Sequence, residues 1–437
     1  MKAYITDDSK KMYWQECEPF ESGENAMRTV RIYRDCKYQT VRGFGGAFTQ
    51  SSGYNLSKMP KDKQKCFIRD YFSKEGLNYN LGRVHINSCD FSLGNYAYLN
   101  DATEPLSNFD ISIDEKYIIP MLREAGEYGE IELLASPWSP PAYMKTNNEM
   151  NHGGKLKREF YGDWAAYMVK FVQEFKKRGA NITMITVQNE PAAVQTWDSC
   201  IYEAEEEGLF AASFLGPALE AAGLSDVKVF VWDHNKEILY DRAVGAMSVP
   251  GAHKYIGGFA FHWYTGDHFD AVKLTGERFP DKELLFTEGC VEYSRFADSN
   301  ETRKAEMYAH DMMGNLNAGA TGIIDWNLLL DAKGGPNHVG NFCAAPVMCN
   351  EDFSDYEKRL SYYYIGHFSR FVQKGAKRLA TSKFCAEIEA AAFENPDGSI
   401  AVILLNRTES DIWFALSDGK NSNYITLPAH SIMTVVL

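Results

Sequence analysis

The chain has 437 residues, of which 45% are hydrophobic and 24% charged, with 34 glycines and 15 prolines spread without a period. That composition supports a substantial packed core and excludes fibrous, collagenous and largely disordered classes. Lysine and arginine number 45 against 59 aspartates and glutamates, a formal charge of -14, which makes a nucleic-acid backbone a poor partner and leaves neutral ligands open.

The first residues, MKAYITDDSKKMYWQECEPF, carry charges where an apolar secretion segment runs, and no stretch has the length of a membrane span. The expectation is a cytoplasmic chain without a span. KMYWQE and RTVRIYR read as strands, but about 40 residues cannot bury a core alone. Eight apolar, strand-like segments then follow: VRGFGGAF from Val41, YNLGRVHINSCD from Tyr79, IELLASPW from Ile131, ITMITVQNE from Ile182, VKVFVWDHN from Val227, IGGFAFHWY from Ile256, ELLFTEG from Glu283 and ATGIIDWN from Ala320. From Gly43 to Ile323 their seven intervals average 40 residues, room for a strand, a helix and two loops each, which predicts a (β/α)8 barrel. Gly43, Gly45 and Gly46 read as the tight entry of the first strand.

Between Leu156 and Gly179 the residues Leu156, Phe160, Trp164, Met168, Phe171 and Phe175 predict one apolar helix face. Ala204 to Ala222 reads similarly, and Asn95 to Ile113 as a long loop. Beyond Ala386 come short strands separated by NPDGS, SDGK and LPAH turns. The predicted organisation is residues 1–40 and 378–437 as two parts of one β-sandwich attached to a catalytic barrel over 41–377. Nine cysteines show no CxxC pair and no zinc-ribbon spacing, so they read as reduced thiols.

Polar groups at the C-terminal ends of barrel strands converge on one pocket. Glu190, in ITVQNEP, falls at the end of the fourth strand and Glu288, in LLFTEG, at the end of the seventh, across the barrel from each other. Two carboxylates are what glycosidic cleavage requires, one protonating the departing oxygen while the other attacks the anomeric carbon or activates water. A separation of about 5 to 5.5 Å implies retention through a covalent intermediate, and roughly 6.5 to 9.5 Å implies inversion. Trp138, His262, Trp263, Tyr264 and Trp326 also stand at strand ends, where aromatic faces stack on sugar rings. Asp90, Asn189 and Asn341 offer hydrogen bonds to hydroxyls, and Arg83 with Asp325 offers an ionic pair behind them. A buried acid near Glu190 would raise it and suit it to give up a proton.

A metal hydrolase would draw on His85, His262 and Asp90, but there is no HExxH arrangement. GxSxG is absent, and RGFGGAF fails the third-glycine spacing of a dinucleotide fingerprint. A carbohydrate-binding protein that does not catalyse would keep the aromatic walls without needing both acids.

The passages VRGFGGAFTQSSG, GRVHINSCDFSLGNYAYLN, ASPWSPPAYMKTN, ITVQNEPAAVQTWDSC, FHWY, LLFTEGC and DWNLLLDAKGGPN, running from Val41 to Asn337, resemble glycoside hydrolase family 30, especially its glucosylceramidase branch. The resemblance implies a retaining mechanism without a cofactor, with Glu190 as acid/base and Glu288 as nucleophile. It further implies Asn189 facing the 2-hydroxyl, Asp90, Trp138, Trp326 and Asn341 in the binding shell, and Tyr264 and Arg83 bordering Glu288. After NEP, the stretch AAVQTWDSC places Trp197 where that branch has a differently built hydrophobic loop. After GGPN, His338 and Gly340 stand where it carries larger residues. These departures point away from a ceramide-like tail and toward exo-acting β-glucosidase action on soluble, neutral glucosides or oligosaccharides. Within the family, endo-β-1,6-glucanase and β-xylosidase or β-fucosidase activities are the alternatives.

Overall fold

The eight apolar segments pair in parallel and in chain order into a closed barrel: Gly43–Ala47, Leu81–Ile86, Glu132–Pro137, Ile182–Thr186, Lys228–Asn235, Ile256–His262, Glu283–Glu288 and Gly322–Asn327. This computed structural model describes residues 2–21, 26–296 and 298–437. Gly45 shows why the first strand is glycine-rich: a Cβ there would lie 2.0 Å from the Leu81 carbonyl oxygen of the second strand.

Side chains alternate between the barrel lumen and the helix layer along each strand. Leu81, Leu134, Met184, Phe230, Ala260, Leu285 and Ile324, one from each of seven strands, form a closed apolar layer in the lumen. The polar site stands above this dry floor, as the barrel's layered interior requires. Outside, helix Tyr161–Lys177 buries Trp164, Met168, Phe171 and Phe175 against the strands. The predicted apolar face reaches back to Leu156, but the helix begins only after a 3-10 turn at Arg158–Phe160, and Leu156 bridges to Lys145 instead. The second predicted helix runs from Ala204 to Ala221 with a π turn at Ala211–Leu215.

Both chain ends meet in the sandwich. Its ten strands follow the order Met12–Cys17, Lys2–Asp7, Ser431–Val436, Ile400–Asn406, Ile388–Glu394, Lys377–Phe384, Thr29–Thr40, Ile412–Ser417, Ser422–Leu427 and Phe20–Glu21. Val30, Ile32, Leu379, Val402, Leu404, Phe414 and Val435 belong to their shared core. The long-strand pair Thr29–Thr40 and Lys377–Phe384 shifts register twice, the irregularity that bends a sheet over its own core. Helix Leu360–Ser369 carries the chain from barrel to sandwich, and its buried His367 meets Thr6 and Thr434, at 2.9 Å each. Burial and the nearby Arg370 push this imidazole down to about 3, so it is neutral. Among the described residues no helix is long and apolar enough to cross a membrane.

Candidate active site

A cavity of about 160 Å³ opens at the C-terminal end of the barrel, and Glu190 and Glu288 both line it. One oxygen of each carboxylate lies within 4.8 Å of the other, on the short side of the two spacings that glycosidases use. Glu288 is the last residue of the seventh strand. Glu190 lies beyond the fourth strand, which stops at Thr186. It is held by its own N–H donating to the Asp233 carbonyl at 3.0 Å, with φ at 47°. A left-handed glutamate costs about 1 to 3 kcal/mol, a strain that persists where surrounding contacts fix it.

Arg83, fully buried on the second strand, organises the floor of the site. It donates to Glu288 Oε2 at 2.6 Å, Asn189 Oδ1 at 2.7 Å, Asp233 Oδ2 at 2.8 Å and Ser136 Oγ at 3.1 Å, while its guanidinium lies 4.6 Å over the Trp138 ring. A buried cation is tolerated when its donors are matched in this way. Asp233 in turn accepts from Ser136, Thr287 and His262. Burial raises this carboxylate, but Arg83 and His262 outweigh it and hold it well below the usual range. His262 bridges Asp233 Oδ1 at 3.1 Å and Glu190 Oε1 at 3.2 Å. Burial lowers the imidazole, yet Glu288, Asp233 and Glu190 push it up to about 9, so it is a cation with both ring nitrogens donating. Arg83 and His262 thus stand as two cations among three acids, Asp233, Glu190 and Glu288.

The histidines beside Glu190 act in the opposite sense to a nearby buried acid. Burial raises it, but His234 and His262 hold it down at about 2. Burial pushes Glu288 up, with His262 and Arg83 pulling the other way. The two acids titrate as one unit, one low and one raised.

Asp90, Trp138, Asn189, Trp197, Tyr264, Trp326 and Asn341 all line the same cavity. Tyr264 donates to Glu288 Oε1 at 2.8 Å, and Trp138 and Trp326 stack with centroids 5.2 Å apart. Asp90 accepts from Asn337 and Asn341 at 3.3 Å each, and burial together with the charge of Glu288 raises it well above the carboxylate range.

Two expectations are not met, and one ligand of the metal alternative is committed elsewhere. Asp325 makes no pair with Arg83: it stands outside the lumen with Tyr79, Trp263 and Tyr308, and the acid beneath Arg83 is Asp233. Trp263 does not line the sugar-sized cavity, because its indole packs 4.9 Å from Tyr308 and donates to the Cys290 carbonyl. His85 is committed to the backbone, accepting from Gln50 N at Nε2 and facing the Asn87 carbonyl through Nδ1, and burial lowers it to about 4. Glu190, His262 and Glu288 do cluster closely enough to hold a metal ion. Both nitrogens of this histidine are already spent on carboxylates and Glu288 is held by Arg83, a donor set built for proton chemistry. Sequence reasoning missed Asp233, Ser136 and Thr287 below the carboxylates, and Gln195, His234, Asn235 and Glu292 at the cavity wall.

A larger groove of about 840 Å³ lies at the other end of the barrel. Its acids all meet cations: Glu132 and Glu283 meet Arg42, Lys374 and Lys228, Glu277 meets Lys273 and Asp281 meets Lys282.

The comparisons with known proteins agree with this geometry. Residues 41–372 match the model of the glycosyl hydrolase family 30 TIM-barrel domain and residues 375–435 that of the family 30 beta sandwich domain. The chain is 35% identical to mouse (Mus musculus) lysosomal acid glucosylceramidase over 419 residues, covering 91% of this chain and 81% of that protein. It superposes on SrfJ from Salmonella typhimurium with a TM-score of 0.95 at 39% identity, covering 100% of this chain and 99% of the other. For the endo-β1,6-glucanase BT3312 the TM-score is 0.88 at 31% identity, covering 99% and 98%. With a (β/α)8 barrel, an attached sandwich and two acids at one pocket, the chain belongs to glycosyl hydrolase family 30 and is a glycoside hydrolase.

Proposed function

We propose that the chain is a retaining, exo-acting β-glucosidase in which Glu288 is the nucleophile and Glu190 the acid/base. The observation that carries this reading is the approach of the two carboxylates, within 4.8 Å, across a cavity of about 160 Å³, room for one sugar ring. The inner end is closed: Asp90 is 4% exposed and Trp138 2%. A closed end receives a terminal residue and excludes a chain running through. The polar lining suits the leaving oxygen of a soluble glucoside.

In the first step ionised Glu288 attacks C1 and the bond from C1 to the leaving oxygen breaks. That oxygen keeps the electron pair and takes a proton from Glu190. Before the step the proton resides on His262, and its transfer across the 3.2 Å contact to Glu190 leaves Glu288 with Arg83 and Tyr264 as partners. With Glu288 ionised, it and Asp233 lie beneath an anomeric centre that becomes positive in the transition state, a preorganised stabilisation. In the second step water attacks C1, Glu190 takes its proton, and the ester electrons return to Glu288.

The test is a panel of aryl β-glycosides and linkage-defined glucans followed through time, with the wild type and Glu190→Ala. Release of single glucose units supports the reading. The variant is expected to lose about 10²-fold or more on poor leaving groups and far less on good ones. Early oligosaccharides from β-1,6-glucan indicate an endo-glucanase, and equal losses on all leaving groups remove Glu190 from its role.

A further inference from the structure

A second cavity, of about 330 Å³, adjoins the first, and Tyr264 and Glu292 line both. From there it passes Asp267 and Arg295 and ends at Arg407, in the turn that follows sandwich strand Ile400–Asn406. The barrel and the sandwich therefore both supply walls to it. Most of its lining residues are acidic or basic, which is unsuited to an apolar chain. Most of these charges are matched internally or just behind the wall: Arg295 meets Glu292 at 3.2 Å, His310 meets Asp267 at 3.1 Å, Arg407 meets Glu389 at 2.6 Å, Glu306 meets His430 at 2.8 Å and Asp311 meets Lys236, and Arg303 adds a further guanidinium to the wall. A groove of mostly paired charges offers many donors and acceptors. The half-buried rings of Trp263 and Tyr264 add flat apolar faces, the combination that recognises neutral sugars.

Position fixes which part of a substrate would lie there. The terminal sugar occupies the closed end at Asp90 and Trp138, whereas Glu292 stands at the open side next to Tyr264. We propose that this inter-domain groove binds the sugar units of the leaving group, so that the preferred substrates are neutral β-linked gluco-oligosaccharides longer than a disaccharide. The inference rests on the glucosidase reading and assigns its leaving-group class. It also gives the sandwich a part in substrate selection through Arg407.

The experiment compares an aryl β-glucoside with β-linked gluco-oligosaccharides of two, three and four units, using wild type, Arg407→Ala and Asp267→Ala. Affinity for the tetrasaccharide is measured as well, on the Glu288→Gln background. In the wild type kcat/KM is expected to rise about tenfold from two to four units, the worth of one or two net hydrogen bonds. Each variant is expected to remove most of that rise and to weaken tetrasaccharide binding about fivefold, with aryl-glucoside turnover and melting temperature unchanged. A flat length dependence with an active aryl glucoside overturns the groove, as does a length gain or tetrasaccharide affinity that survives both substitutions. No turnover of any β-glucoside by the wild type overturns the glucosidase reading itself.

Discussion

The fifth and eighth barrel strands carry the same two residues in opposite order, Trp232-Asp233 in VFVWDHN and Asp325-Trp326 in IIDWN, and they use them in opposite ways. The eighth strand still alternates through Trp326, although its register against the first strand slips between Ile324 and Asn327: Ile324 is in the luminal layer, Trp326 lines the pocket above it, and Asp325 points out among Tyr79, Trp263 and Tyr308. The fifth strand begins alike, with Phe230 in the luminal layer. Its register against the sixth strand then slips between Trp232 and His234, with positive φ at Trp232, 77°, and Asp233, 49°. This bulge turns Trp232 outward, its backbone N–H donating to Glu207 and its indole N–H to the Asn235 carbonyl, and brings Asp233 inward under Arg83. One extra residue in a strand moves a carboxylate from the helix layer to the catalytic floor.

The electrostatic result follows from what each acid meets. Asp233 faces Arg83 and His262 and stays ionised. Asp325 meets no cation among the described residues; burial raises it to about 8 against modest help from the Trp326 backbone and Tyr308. The same residue type is therefore a fixed anion in one place and a mostly protonated acid at neutral pH in the other.

The strongest way to break this comparison is to remove each acid in turn. Asp233→Ala leaves Arg83 and His262 without their shared partner. Stability is expected to fall by about 3 to 5 kcal/mol in denaturant titration, and kcat/KM on the order of 10³-fold. Retained activity would show that the bulge is incidental. A smaller effect is expected at His262, which is protonated below about 9. Raising the pH through that value removes its proton, so kcat/KM should fall on the alkaline side. His262→Gln should lose about tenfold at neutral pH and lack that alkaline limb. An unchanged limb in this variant assigns it to another group.

The smallest effect on turnover belongs to Asp325→Asn, within about twofold. Its signature is in stability. Because the folded pKa of Asp325 is raised, its contribution is fully present below the ordinary carboxylate value and is lost as pH rises to about 8. The melting temperature of the variant relative to wild type should therefore climb between pH 5 and 8 and level off above. A constant difference across that window contradicts the raised value.

The same two strands mark where the sequence was legible. The eight barrel segments, the joined chain ends and the family could be read because apolar runs recur at near-regular intervals and end in polar groups. Glu288 and Trp326 sit within the last two residues of their strands, and Tyr264 two residues past His262, close to where the apolar runs end. Asp233 was not legible, since a bulge leaves no mark in an alternating pattern, and Asp325 was misplaced because alternation was not applied to it. Glu190 was found from the apolar run that leads to it, although the strand stops at Thr186, and its low pKa comes from His234 and His262 on two other strands. Lys2–Asp7 and Lys377–Phe384 escaped notice as sandwich strands because each mixes few apolar residues with charges, Lys2 and Asp7 in the first and Lys377, Arg378 and Lys383 in the second.

The central claim is that Glu288 forms the covalent bond to the sugar. It is tested most directly by acid-quenching the enzyme during turnover of a β-glucoside with a good leaving group, using Glu190→Ala to slow release, and mapping the mass of the proteolytic peptides. The account predicts a hexosyl increment on the peptide containing Glu288. An increment elsewhere, or none while glucose with inverted anomeric configuration is released, contradicts it.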